Sequence, residues 1–224
     1  MKYIILTCLL AFEQLSLAQN SVNLSAGITS PRDYITVIPY ENINGKLIIT
    51  AEINEHPRRF IFDTGASGTL INKNILDSSD LSNISLPSID QSGKEDSLSV
   101  AILNSIQIGN AIFGNVPVMT LDGEANPILK CFEVDGILGN NLWTHTAVRI
   151  TSVDKTISIT DNPSKFALNK EQSSDILFPC EYNCSPFIET IFINNDGYAI
   201  SEPVLFDSGA NLLYRLSSDN IKFF

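Results

Sequence analysis

The chain has 224 residues, of which 44% are hydrophobic and 17% charged, a composition typical of a globular protein rather than a disordered one. Its formal net charge of −11 and its pI near 4.5 argue against nucleic acid or an anionic membrane surface as a partner. Phosphate groups are bound by clustered Lys and Arg, and the sequence has no basic run.

The N-terminal segment 1–18 has the pattern of a secretory signal peptide. Lys2 precedes an apolar run from Tyr3 to Phe12, and Ser16-Leu17-Ala18 forms a small-x-small cleavage site. The run is too short to span a bilayer, so we expect no transmembrane anchor. This pattern predicts export to a secreted or periplasmic location. The alternative is that these residues form a buried N-terminal helix or strand.

Short strand patterns dominate the rest of the first 160 residues. Residues 19–33 are polar, contain Pro31 and lack hydrophobic periodicity, which predicts a flexible lead-in. Alternating strand patterns then lie at 34–38, 46–53, 60–62, 97–103, 106–110, 114–121, 147–150 and 156–159. Residues 69–76 have the pattern of a strand that passes into a short helical turn. We expect a projecting hairpin around Gln91–Lys94 and a loop at 121–130. No long amphipathic helix is predicted, so the sequence indicates an all-β architecture.

Two copies of one motif carry the functional information. Phe60-Ile61-Phe62 leads into Asp63-Thr64-Gly65-Ala66, and Val204-Leu205-Phe206 leads into Asp207-Ser208-Gly209-Ala210. An ionised carboxylate that ends a buried strand must be hydrogen-bonded, paired or neutralised, and the adjacent hydroxyl and glycine can supply partners. One Asp-Thr-Gly is an ordinary turn sequence. Because each copy follows a two-strand pattern, the repetition predicts a duplicated functional unit.

A third stretch lies between these motifs. Gly136-Ile137-Leu138-Gly139 places two aliphatic residues between glycines, which indicates a strand that passes close to another backbone. Asn140 is predicted to cap a short helix that contains Leu142 and Trp143. Residues 161–174 contain Pro163 and many polar residues, and are predicted to be a linker.

These motifs together resemble the aspartic proteases. The first Asp motif followed by Gly136–Gly139 is similar to one retropepsin-like lobe, and the second Asp motif is similar to the catalytic turn of a second lobe, as in pepsin-like and bacterial two-lobed enzymes. The resemblance implies an acid-protease fold with a closed β-barrel lobe at 34–160, the linker at 161–174 and a partial second lobe at 175–224.

The resemblance also implies the role of each motif residue. Asp63 and Asp207 would be the catalytic dyad, and Thr64 and Ser208 would cross-link the two turns. Gly65 and Gly209 would keep the carboxylates accessible. The buttress strand Ile137-Leu138-Gly139 would hold the first turn in place from behind.

Two features depart from the family pattern. No aromatic residue lies between Leu76 and Phe113, so a flap at Gln91–Lys94 would close without the usual tyrosine. Only 14 residues, Asn211–Phe224, follow the second turn, so we expect an incomplete second lobe, as in a fragment or after an early stop. The first lobe could then pair with its own copy and form a dyad of two Asp63 residues, giving a homodimer.

The implied chemistry is hydrolysis of a polypeptide by a water molecule activated between two carboxylates that share one proton. No metal and no other cofactor is expected, since His56 and His145 form no ligand-spaced cluster with the cysteines. The predicted function is thus an exported aspartic endopeptidase. The alternatives are a non-catalytic binding protein or truncated pseudoenzyme that keeps the fold, and a secreted β-domain whose two Asp turns are only structural.

The cysteines leave several pairings open. Cys131, Cys180 and Cys184 would remain after removal of the signal peptide. Cys180 and Cys184 could close a small loop, Cys131 could pair with either of them, or all three could be thiols.

Overall fold

A computed structural model describes residues 23–25, 27–89, 95–169, 171, 173–178 and 185–210 of the chain. The predicted signal peptide, the flap tip at Gln91–Lys94, Cys180, Cys184 and the segment 211–224 lie outside the described residues. Within them, β-strands account for most of the regular structure, together with one short α-helix. The all-β prediction is confirmed.

The first lobe contains twelve of the described strands. They are β1 (Ile28–Ser30), β2 (Ile35–Pro39), β3 (Glu41–Ile43), β4 (Lys46–Ile53), β5 (His56–Phe62), β6 (Leu70–Asn72), β7 (Leu81–Ile89), β8 (Glu95–Ile108), β9 (Ala111–Leu121), β10 (Gly136–Leu138), β11 (Ala147–Thr151) and β12 (Thr156–Thr160). Helix α1 spans Pro127–Phe132, and short 3-10 turns lie at Lys73–Ile75, Asn140–Leu142 and Pro163–Lys165. A C-terminal sheet follows, made of β13 (Ile176–Leu177), β14 (Phe187–Ile193) and β15 (Ala199–Leu205).

Six strands of the first lobe form a closed ring. The main sheet runs in the order β1-β9-β6-β10-β5-β4-β8-β7, and an additional pairing joins β8 back to β9. The ring β9-β6-β10-β5-β4-β8 therefore has no free edge, which protects its strands from pairing with other chains. Strands β11, β12 and β2 form a second sheet of the first lobe, in the order β11-β12-β2.

The barrel interior is filled by large side chains from alternate strand positions. Phe60, Phe62 and Phe113 are fully buried, and the indole of Trp143 lies on this group. Its ring centroid is 5.1 Å from that of Phe62 and 5.7 Å from that of Phe113, the latter edge-to-face. These distances are typical of favourable aromatic pairs. The rigid core thus lies directly behind the residue that precedes Asp63.

The β4–β5 hairpin sets the position of Asp63. Asn54 and Glu55 both have positive φ, 52° and 62°, so these two residues form the whole turn and β5 begins at His56. The strand predicted at 60–62 therefore begins four residues earlier than expected, at His56. The register pairs Leu47 with Phe62, which fixes where β5 ends.

Two segments predicted to lack structure pack on the first lobe. In the expected lead-in, β1 pairs with β9, and Leu24 is buried. In the expected linker, Asp161 accepts a hydrogen bond from the Asp33 amide at 2.9 Å, and Phe166 is buried beneath the guanidinium of Arg149, 4.2 Å from its ring centroid. These segments are held by strand pairing, by single buried residues and by polar and cation–π contacts. None of these contacts produces a periodic hydrophobic pattern, so the sequence pattern did not reveal that the segments are packed.

Two further elements were not predicted as such. The expected loop at 121–130 contains the start of α1, which is capped by Asn126 through bonds to the amides of Ile128 (3.0 Å) and Leu129 (3.1 Å). The polar segment after Asp77 forms β7, which pairs antiparallel with β8. Among the described residues, the structure contains no helix long and apolar enough to cross a membrane.

Candidate active site

Asp63 lies immediately after β5, where the strand leaves the barrel. Its amide donates to the Leu138 carbonyl at 3.1 Å, because β10 runs parallel to β5 and the two strands end side by side. Its carboxyl oxygen Oδ1 accepts hydrogen bonds from the amides of Gly65 (2.8 Å) and Ala66 (3.2 Å). The first turn, Asp63–Ala66, therefore holds its own carboxylate in a fixed orientation.

Asp207 occupies the matching place after β15. The Phe206 amide donates to the Pro186 carbonyl at 2.8 Å, which continues the β14–β15 pairing up to the turn. The Gly209 amide donates to Asp207 Oδ1 at 2.8 Å, the same distance as in the first turn. The second turn, Asp207–Ala210, thus repeats the glycine-amide contact of the first turn.

The two turns are joined by four reciprocal hydrogen bonds. The Thr64 hydroxyl donates to the Phe206 carbonyl at 2.7 Å and accepts from the Ser208 amide at 2.9 Å. The Ser208 hydroxyl donates to the Phe62 carbonyl at 3.1 Å and accepts from the Thr64 amide at 3.0 Å. Each hydroxyl therefore bridges two backbone groups of the opposite turn. Thr64 and Ser208, the two hydroxyl residues singled out in the sequence, thus lie together at the contact between the turns.

Both turn glycines face the opposing carboxyl group. A Cβ atom on Gly65 would overlap the carboxyl group of Asp207, and a Cβ atom on Gly209 would overlap that of Asp63. Any residue other than glycine would push the two turns apart. The glycines are required by the close approach of the two acids.

Asp63 is electrostatically perturbed. Burial raises its pKa from the ordinary 3.8 to about 6, and the neighbouring charge of Asp207 acts in the same direction. The two side chains are also within hydrogen-bonding reach of each other. The bonds donated by the Gly65 and Ala66 amides oppose this effect without cancelling it. The arrangement therefore favours a pair of carboxyl groups that holds a proton in mildly acidic solution.

The segment Ile137-Leu138-Gly139 lies against the first turn and β5. Ile137 pairs with Ile61 and Leu138 with Phe62 across the parallel β10–β5 ladder, and Leu138 is fully buried. A Cβ on Gly139 would overlap the Gly68 carbonyl, so the chain can pass here only as glycine. These contacts support the turn from the barrel side.

Asn140 has a different role from the predicted helix cap. Gly139 occupies the cap position of the 3-10 turn without a side-chain bond, whereas the Asn140 amide donates to the Ala66 carbonyl at 2.8 Å. The Asn140 side-chain amide donates to the Thr64 carbonyl. The residue therefore supports the first turn, because the buttress ends directly behind it.

Three side chains that hold the site were not identified from the sequence. Buried Asn141 accepts from the Thr69 amide (2.8 Å) and hydroxyl (2.7 Å), and donates to the carbonyls of Leu24 and Pro117, each at 2.9 Å. Ser185 donates to the Gly65 carbonyl at 2.7 Å, and the Lys46 ammonium donates to the Gly209 carbonyl. Lys46 and Ser185 could have been found by extending the strand pairing of each hairpin as far as its aspartate, because they are the residues opposite Asp63 and Asp207.

The described residues show no group of three or more His, Cys, Asp and Glu side chains placed to hold a metal ion. His56 is the exposed first residue of β5, and His145 is exposed beyond Trp143. Cys131 is an exposed free thiol in α1. The pairing of Cys180 and Cys184 stays a prediction.

Comparisons with known proteins agree with the motif resemblance. The family model described as aspartyl protease matches residues 49–142, a range that includes the first turn and the buttress strand. A solved structure similar to this chain is that of a retropepsin-like aspartic protease from Rickettsia conorii, with 20% identity over 58% of this chain and 94% of that chain, at a TM-score of 0.41. A search of curated proteins finds no match. Residues 49–142 are thus similar in sequence to the aspartyl protease family.

Proposed function

We propose that this chain is an exported aspartic endopeptidase that hydrolyses polypeptides with Asp63 and Asp207 as its catalytic dyad. The observation that carries the proposal is the meeting of two carboxyl groups across turns that are cross-linked by Thr64 and Ser208 within one chain. Two carboxyl groups in such contact cannot both ionise at ordinary cost, so they share one proton.

The reaction follows from that shared proton. The ionised carboxyl takes a proton from a water molecule as the water oxygen attacks the scissile carbonyl carbon, and the protonated carboxyl donates to the carbonyl oxygen. A tetrahedral diol results. Its collapse breaks the C–N bond: the ionised carboxyl takes a proton from one diol hydroxyl, and the protonated carboxyl gives its proton to the departing nitrogen. The pair therefore again holds one proton. The amides of Gly65 and Gly209 keep both carboxyl groups oriented throughout.

The contacts favour a dyad formed within one chain over a homodimer with two Asp63 residues. The hydroxyl and amide of Thr64 are already bonded to Phe206 and Ser208 of the same chain. A second copy would have to displace these bonds before its own first turn could approach. Self-association through the first lobe is therefore not needed for the proposed site.

The test is hydrolysis of an unfolded protein such as casein between pH 3 and pH 8. We expect Asp63→Asn and Asp207→Asn each to lower the rate by about 10²- to 10⁴-fold, the range typical of a lost acid or base. Asp154→Asn makes the same charge change on the exposed β11–β12 turn and serves as the matched control. A dyad-directed inhibitor such as pepstatin should block the wild type. Full activity in either dyad variant would refute the proposal.

Export is supported by the signal-peptide pattern of residues 1–18. N-terminal sequencing of the protein recovered from the medium or periplasm should give a chain that begins at Gln19. Recovery of the intact N-terminus from the cytosol would contradict export. A wild type that binds unfolded polypeptide without cleaving it would instead support the non-catalytic binding protein.

A further inference from the structure

Lys46 and Ser185 occupy equivalent positions in the two halves of the site. The β4–β5 register ends with Leu47 opposite Phe62, so one step further places Lys46 opposite Asp63. The β14–β15 register ends with Phe187 opposite Leu205, and two steps further place Ser185 opposite Asp207. The hydrogen bond between the Phe206 amide and the Pro186 carbonyl supports this continuation.

Each of these two side chains crosses to the opposite turn. The Ser185 hydroxyl donates to the Gly65 carbonyl at 2.7 Å, and the Lys46 ammonium donates to the Gly209 carbonyl. The glycine carbonyls are thus held in the same way on both sides, but by a neutral group on one side and by a cation on the other. This difference between a neutral and a charged donor lies next to the carboxyl groups of Asp63 and Asp207.

We infer that Lys46 is a positioning residue for the second turn, which fixes the Gly209 peptide and places a positive charge beside the dyad. The inference rests on the proposed function. Gly209, whose carbonyl accepts from Lys46, also donates its amide to Asp207 Oδ1 at 2.8 Å. Movement of Gly209 would therefore misalign the Asp207 carboxylate, and a small misplacement at a catalytic group can lower a rate by about 10²-fold.

The charge of Lys46 acts on the dyad as a whole. Three ionisable groups of the described elements lie at the two turns: Asp63 after β5, Asp207 after β15 and Lys46 in β4. Strand β10 and Ser185 contribute no ionisable group. A cation close to a carboxyl pair favours loss of the shared protons. Lys46 thus lowers the pH at which the dyad becomes competent, and its partly buried location limits screening by salt.

Three substitutions at Lys46 separate the charge from the hydrogen bond. Lys46→Met removes both, Lys46→Gln removes the charge but keeps an N–H donor, and Lys46→Arg keeps both. Ser185→Ala removes a neutral donor from the equivalent position. Lys155→Met, on the exposed β11–β12 turn, is the control for the change in net charge.

The readouts are the pH profiles of kcat and KM on an unfolded protein, and the titration of the Asp63 and Asp207 carboxyl carbons by NMR. We expect Lys46→Met to lower kcat by about 10- to 100-fold with KM nearly unchanged. In both neutral variants, the titrations and the limbs of the activity profile should move to higher pH by about 0.5 to 1 pH unit. Lys46→Arg should restore both properties, and Ser185→Ala should lower kcat without moving the titrations.

Carboxyl titrations in Lys46→Met and Lys46→Gln that coincide with those of Lys155→Met would overturn the inference, whatever the rates are. If Lys46→Met does not fold, Lys46→Gln decides the matter, since it retains the donor. The NMR titration needs no turnover. A wild type without protease activity would refute the proposed function, while a shifted titration would still support the placement of Lys46 beside the dyad.

Discussion

Replacing Asp63 with Asn should make the protein more stable at neutral pH, although the same change should abolish the proposed activity. The pKa of Asp63 rises from 3.8 in its ordinary environment to about 6 in the folded protein, through burial and the adjacent Asp207. A carboxyl whose pKa is higher in the folded state binds more protons when folded. Its contribution to stability is therefore lost progressively as the pH rises from about 4 to about 6.

The size of this effect follows from the shift. A difference of about 2 pKa units corresponds to about 3 kcal/mol, which is an upper value for the penalty of ionising Asp63 in the folded protein at pH 8. An Asn at this position carries no charge and can still accept from the amides of Gly65 and Ala66. The variant should thus be more stable than the wild type by up to about 3 kcal/mol at pH 8, and nearly equal to it at pH 3.5.

Trp143 provides the assay. Trp143 is the single tryptophan of the chain, and it is buried against Phe62, the residue that precedes Asp63. Its fluorescence therefore reports unfolding of the first lobe. Urea unfolding of wild type, Asp63→Asn and the control Asp154→Asn should be compared at several pH values between 3.5 and 8. A difference between wild type and Asp63→Asn that stays constant over this range would refute the electrostatic reasoning.

Three further substitutions test the site. Gly209→Ala should abolish activity, because its Cβ would overlap the Asp63 carboxyl group; wild-type turnover would contradict the close approach of the turns. Thr64→Val removes both bonds of the hydroxyl while keeping the side-chain shape, and should cost about 1 to 3 kcal/mol in urea unfolding together with a lower kcat. Asn141→Leu leaves buried backbone groups without partners and should destabilise the first lobe by about 3 kcal/mol, measured by thermal unfolding. An unchanged melting temperature in that variant would contradict the bonding described for Asn141.

The local sequence pattern was sufficient to predict the strands that build the site. The bounds of β4 were predicted at 46–53 and are Lys46–Ile53, because its second half alternates between buried and exposed residues and a two-residue turn ends it. The duplicated Asp motif and Gly136–Gly139 were likewise recognisable from the sequence. Each depends on residues close together in the chain and on the special backbone freedom of glycine.

Long-range polar contacts were beyond this kind of prediction. Asn140 was expected to cap a helix, since Asn favours that position, but its side chain instead reaches the first turn 76 residues away. The contacts of Lys46 and Ser185 span 163 and 120 residues. Strand β1 is held by its pairing with β9 rather than by any periodic pattern of its own. Contacts between residues so far apart in the chain can be identified only from the three-dimensional structure.

The reciprocal bonding of the two turns also has a consequence for biosynthesis. Thr64 and Ser208 are 144 residues apart, and each completes the backbone bonding of the other. While the chain is being made, the first barrel can close well before its acidic partner has emerged from the ribosome. Asp63 therefore has no carboxyl partner from its own chain until the second turn has been made and has docked against the first.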